Sequence, residues 1–245
     1  MGDILMITSG KGGVGKSTIS VGLGLALARR GKSCLLLDLD SGLRSLDLLT
    51  GIAEQVVYDL SDVLEARCEP IKAIYPASQS PRLHVICAPS DPRYSCSMDA
   101  FKRFLSGLRQ HYDMVLIDTP AGLGDGVLAA ADMADRALLV ATPDPVSARS
   151  AGKTAEVLSE RCKGGLRLII NRVADRPVFY PPEIRDLDDV IDAVGAQLIG
   201  VLPEDRSMAA AMSGGGVIDG KTPAETVLQK IAARLCGETL PLWIA

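Results

Sequence analysis

A glycine-rich stretch near the amino terminus, Gly10-Lys11-Gly12-Gly13-Val14-Gly15-Lys16-Ser17-Thr18, carries two lysines where the chemistry its spacing predicts needs one. Gly10, Gly15, Lys16 and Ser17 fit G-x-x-x-x-G-K-(S/T), the loop that wraps the phosphates of a nucleotide. Glycines let the backbone turn tightly, so that successive N–H groups point inward at phosphate oxygens where a Cβ would block their approach. Lys16 offers a point charge to the β and γ phosphates, and the Ser17 hydroxyl is suited to Mg²⁺. A helix amino terminus behind the loop adds partial positive charge. The whole loop, Gly10 to Thr18, is therefore expected to line a bound nucleotide, with Lys11 in excess of the pattern.

Three acids stand where they could serve that loop. Met114-Val115-Leu116-Ile117-Asp118 is an apolar run ending in an acid, the pattern in which the carboxylate holds Mg²⁺ through its water shell beside Ser17. Asp118 also opens Asp-Thr-Pro-Ala-Gly-Leu-Gly, a loop able to sense a γ-phosphate and rearrange when it leaves. Asp38 and Asp40, one residue apart, would point the same way if their strand continues, one toward the metal and the other toward an attacking water. His84 in a strand pattern and His111 near a helix end have no partner at metal spacing and read as structural. The six cysteines (34, 68, 87, 96, 162 and 236) contain no C-x-x-C pair, which gives neither a zinc site nor a disulfide framework.

The elements that must position these residues alternate. Apolar strand runs fall at 4–8, 33–38, 83–88, 114–118, 137–141, 166–170 and 197–201. Helical patterns fall at 18–30, 60–65, 98–111, 146–161, 187–194 and 224–235. Alternation of this kind predicts an α/β fold, a doubly wound, mostly parallel sheet with helices on both faces. Pro143-Asp144-Pro145 and Pro181-Pro182 read as loops after strands. In such sheets ligands bind beyond the carboxyl ends of the strands, which adds Asn171 and Pro203-Glu204-Asp205 to the candidates. At 245 residues and 47% hydrophobic content, the expectation is a single domain over 1–245. A net charge of −4 gives no electrostatic footprint for nucleic acid. The absence of a signal pattern and of any run near ~18 apolar residues predicts a cytoplasmic protein.

The doubled-lysine loop, the segment from Asp38 to Asp47, the loop Asp118-Thr119-Pro120-Ala121-Gly122, Asn171-Arg172 and Pro203-Glu204-Asp205 together resemble the MinD/ParA family of deviant Walker-A ATPases, nearest to its division-site-selecting branch. The likeness is collinear from about residue 3 to about residue 240. It implies an ATP-dependent, Mg²⁺-dependent homodimer with two nucleotides sandwiched between the subunits. Lys11 would then reach the partner's phosphates as a finger in trans, with Lys11, Lys16 and Asp40 catalytic, Asp40 near the attacking water, and Ser17, Asp38 and Asp118 around the metal. Asn171 would hold adenine, with Arg172 and the Pro203-Glu204 backbone nearby. The family also implies a protein activator or cargo. Members of this branch usually continue past the position of Trp243 into a basic amphipathic helix that lies on the inner face of the cell membrane. This sequence stops at Ala245, so membrane attachment is the weaker expectation, and the helix at 224–235 is expected to pack on the sheet. Two other functions compete: a ParA-like ATPase that partitions DNA or cargo, disfavoured by the acidic balance, and a metabolic ATP-dependent ligase, which would need substrate-binding insertions. An iron–sulfur reductase or carrier would need paired cysteines, and a tyrosine autokinase would need tyrosines after Ala224.

Overall fold

The computed structural model describes residues 1–41, 44–95, 97–213 and 221–242, with only the backbone of Ser213. Gly42 and Leu43 of the Asp38 segment, Cys96, and the tail at 243–245 lie outside the described residues. The chain opens with β1 (Asp3–Thr8) and α1 (Lys16–Arg29), then β2 (Cys34–Asp38), α2 (Ser45–Leu49) and α3 (Leu60–Leu64). A hairpin of β3 (Tyr75–Ala77) and β4 (Ser80–Ile86) precedes α4 (Met98–Leu108), β5 (Met114–Asp118) and α5 (Asp125–Met133). The remainder holds β6 (Arg136–Ala141), α6 (Pro145–Ser159), β7 (Leu166–Val173), α7 (Leu187–Val194), β8 (Gln197–Pro203), α8 (Arg206–Ser213) and α9 (Pro223–Leu235).

These strands form one sheet in the order β3-β4-β2-β5-β1-β6-β7-β8, parallel throughout except for β3. Its middle strands are apolar on both faces because both faces are covered. Leu5 and Ile7 of β1 pack with α1 and α9, whereas Ile4 and Met6 pack with α4 and α5 on the other side. Beneath α6 and α7, the second face continues as a cluster around Leu139, Leu168 and Ile170. α1 is buried along most of its length, Ile19 to Ala28. That accounts for its Ala, Leu and Gly content, which a one-sided surface helix would not need.

All seven expected strands and six expected helices exist, with shifts at their ends. Four short elements were not expected, α2, β3, α5 and α8, nor were the two 3-10 turns at Ala53–Gln55 and Pro70–Ala73. α5 was hidden because Gly122-Leu123-Gly124-Asp125-Gly126 reads as a loop, although the helix starts at Asp125 within it. Pro145 is also not a loop residue. It occupies the first turn of α6, where its missing N–H costs nothing, and Asp144 before it is the N-cap. β7 runs on past Ile170 to Val173 through an irregular register, with Arg172 at φ 58°.

Candidate functional site

The parallel sheet brings five carboxyl-end loops together around the start of α1. β1 delivers the glycine loop, whose path is fixed from behind: Ser9 Oγ donates to the Lys11 carbonyl at 2.7 Å, and the Gly122 amide donates to the Ser9 carbonyl at 2.9 Å. Gly13 and Gly15 adopt φ of 77° and 95°, the left-handed region that favours glycine. Gly15 supplies no side chain to cap α1, so the first N–H groups of the helix, which have no intrahelical acceptor, remain available to an anion. Gly10 is glycine for a different reason, since a Cβ there would lie 2.3 Å from the Ser150 carbonyl oxygen of α6.

Lys16 is 8% exposed. Burial pulls its ammonium below the ordinary lysine value, and the charges of Asp118 and Asp40 oppose that pull. β2 and β5 end side by side, with Asp38 in register with Asp118, and both acids are almost wholly buried. Burial, and then the neighbouring Asp118, push the Asp38 carboxyl up to about 8. Burial raises Asp118 to about 6 against hydrogen bonds from Ser17 and Ser20 and the charge of Lys16. The Ser20 hydroxyl donates to Asp118 at 2.9 Å, and Ser45 donates to the Ser17 hydroxyl at 3.0 Å. Two adjoining buried carboxyls beside a serine hydroxyl form an all-oxygen donor set, and a hard divalent cation would relieve their repulsion. The residues present therefore fit Mg²⁺.

Asp40 reaches the site by a different route from the expected one. β2 ends at Asp38, so Asp40 does not share its face through strand alternation. The chain turns at Leu39 to Ser41, and the Asp40 amide donates back to Asp38 at 2.9 Å. The Asp40 side chain still lines the phosphate cleft together with Gly12, Gly13, Lys16 and Ser17. Burial raises its carboxyl and Lys16 lowers it, with burial the larger influence.

A second cleft of 210 Å³ opens beside the first, lined by Thr18, Asn171, Arg172, Pro203, Glu204 and Asp205. Arg172, with Gly15 and Thr18, borders both clefts. The Asn171 amide donates to the Val14 carbonyl at 2.7 Å, which pins β7 to the phosphate loop and leaves its oxygen and second N–H for a base. Asp205 spends its carboxylate on helix ends, accepting from the Met208 amide at 2.9 Å and the Ala224 amide at 3.2 Å. Lys11 faces outward. Its side chain is 44% exposed, and its ammonium lies 3.5 Å from Asp144, away from the buried acids. Ser20, Ser45 and Asp144 were not among the expected residues. Ser20 alone had a legible signal, one helical turn after Lys16 on the same face.

The ParA family, described as NUBPL iron-transfer P-loop NTPase, matches residues 1–173. The septum site-determining protein MinD of Bacillus subtilis is 34% identical over 249 residues, covering 100% of this chain and 92% of that one. In the solved MinC:MinD cell division complex of Aquifex aeolicus, a chain superposes with a TM-score of 0.87 at 33% identity, over 99% of this chain and 98% of its own. MinD from Pyrococcus horikoshii, solved with Mg-ADP, gives a TM-score of 0.83 at 26% identity over 96% of both chains. Among the described residues, no helix is long and apolar enough to cross a membrane.

Proposed function

Because the chain belongs to the ParA/MinD family of P-loop NTPases, we propose that it is an ATP-gated dimerisation switch serving the choice of the cell-division site. The carrying observation is the opposite placement of the two loop lysines. Lys16 is buried among the acids of its own site, whereas Lys11 is exposed, with its ammonium on Asp144.

Lys16 and the exposed amides at the start of α1 would bind the β and γ phosphates, and the cleft between Asn171 and Pro203 would take the base. Mg²⁺, when bound at Ser17 with Asp38 and Asp118 behind it, would neutralise phosphate charge. Asp40 accepts a hydrogen bond from the attacking water and orients it toward the γ-phosphate. Lys11 of each subunit meets the phosphates held by the other, so dimerisation depends on which nucleotide is present. Cleavage removes the γ-phosphate that the two subunits share, and they part. A MinC-like protein is the kind of partner this reading favours, because the matching fold from Aquifex was solved in such a complex. The iron transfer in the family description finds no support at two of the described cysteines: burial pushes Cys34 and Cys87 up to about 12, which disfavours there the thiolate that iron binding requires.

Two single substitutions separate the lysines. Lys16→Ala should abolish ATP binding by calorimetry. Lys11→Ala should bind ATP within a few-fold of the unmodified protein yet stay monomeric in light scattering, and a dimer from that variant would refute the trans role.

A further inference from the structure

Resting on the reading that Asp118 serves Mg²⁺, we propose that Ser20 is a positioning residue that aims the Asp118 carboxylate at the metal side of the phosphate loop. Ser20 is wholly buried, so it can act on a bound ligand only through a neighbour. Its hydroxyl has one proton and two acceptors in range, the Lys16 carbonyl at 3.1 Å and Asp118 Oδ1 at 2.9 Å. A back-bond to the carbonyl four residues earlier is the habit of a serine inside a helix. Here the carboxylate is nearer, and a charged acceptor makes the stronger bond. Ser20 therefore spends its proton on Asp118.

The two buried acids are held by different means. Asp38 is fixed by main-chain amides, accepting from Asp40 at 2.9 Å and from Leu46 at 3.5 Å. Asp118 is held by the hydroxyls of Ser17 and Ser20, which stand three residues apart and so on one face of α1. The terminal torsion of an aspartate is soft, so these bonds decide where its two oxygens point. Ser17 cannot hold the acid alone, because its oxygen accepts from Ser45 at 3.0 Å and is the atom proposed to meet the metal. Ser20, out of a ligand's reach, has no such second duty. Holding Oδ1 fixes the plane of the carboxylate, and with it the direction in which the other oxygen can meet the water shell of a cation.

Calorimetry of ADP on the full chain, with and without Mg²⁺, tests this, and the quantity read is the factor by which Mg²⁺ tightens ADP binding. Ser20→Ala removes one oxygen and leaves a good helix former. It should bind ADP alone as tightly as the unmodified protein, while the Mg²⁺ factor falls about tenfold, the low end of what losing a group that orients a metal's ligand costs. Because the action runs through Asp118, Ser20→Ala should cost nothing further in an Asp118→Asn background. A role in packing alone would instead lower the melting temperature and leave the factor untouched. An unchanged factor, an equal loss of ADP affinity with and without Mg²⁺, or the same additional loss in the Asp118→Asn background overturns the proposal. Failure of the underlying reading looks different: Asp118→Asn would then keep the full Mg²⁺ factor. If Asp118→Asn loses that factor while Ser20→Ala retains it, the role of Ser20 alone is lost.

Discussion

Asp38 and Asp118 illustrate how one residue type acquires a use from where its strand stops. Each ends an apolar strand, and the parallel register places them next to each other. Their raised values, about 8 and about 6, make the nucleotide-free fold pH-sensitive in a definite direction. An unfolded aspartate ionises near 4, whereas these retain their protons in the folded state to higher pH, so the stability linked to these two carboxyls is fully present below about pH 4 and is lost as pH rises through about 6 and about 8. Without nucleotide or Mg²⁺, the melting temperature should fall between pH 5 and pH 8, and Asp38→Asn should flatten most of that slope. A slope in Asp38→Asn as steep as in the unmodified protein would contradict the assignment. Sequence pattern singled out Asp38, Asp118, Lys16 and Ser17 from strand ends and the phosphate-loop motif, and the fold brings these four together. It could not find Ser45 or Asp144, whose partners are brought by separate elements, and it misjudged how Asp40 arrives, since where a strand ends is decided by pairing rather than by composition.

Among the elements, α6 contributes to the site without supplying a residue to the phosphate pattern. It offers a backbone wall to Gly10 and, through its N-cap, an acid to Lys11. Gly10→Ala therefore has no low-cost solution, because the atom it meets is a carbonyl and not the end of a side chain. We expect a loss of about 1–3 kcal/mol, the usual cost of forced overpacking, as a lower midpoint in urea, together with weaker nucleotide binding. Undiminished stability and affinity in Gly10→Ala would show that the wall yields. Long elements such as α9 were legible from periodicity, and the structure adds the Thr222 and Glu225 capping box that starts it. The five-residue α2 and the three-residue β3 were not legible; the equally short α3 was expected and carries a local capping box from Asp59 and Asp62, whereas α2 and β3 lack such a signal and owe their existence to tertiary packing.

For the whole molecule, the proposed switch makes ligand binding and pairing one equilibrium. A ligand that binds the folded monomer raises stability by an amount independent of protein concentration, whereas a ligand that also assembles a dimer adds a concentration-dependent share. Thermal unfolding in a non-hydrolysable ATP analogue should therefore shift upward as the protein is concentrated tenfold, while in ADP it should not. Equal behaviour in the two nucleotides would count against the switch. The sheet gives the molecule two unlike ends. The two clefts proposed to hold nucleotide crown the carboxyl ends of the strands, and at the amino ends lies an open 680 Å³ pocket bordered by Met1, Tyr112 and Cys236. Cys236 is exposed. A fluorophore on its thiol, or a surface tether at Met1, would sit at the pole opposite ATP and leave both faces of the nucleotide exchange open to view, so the fold carries its own handle for watching single molecules pair and part.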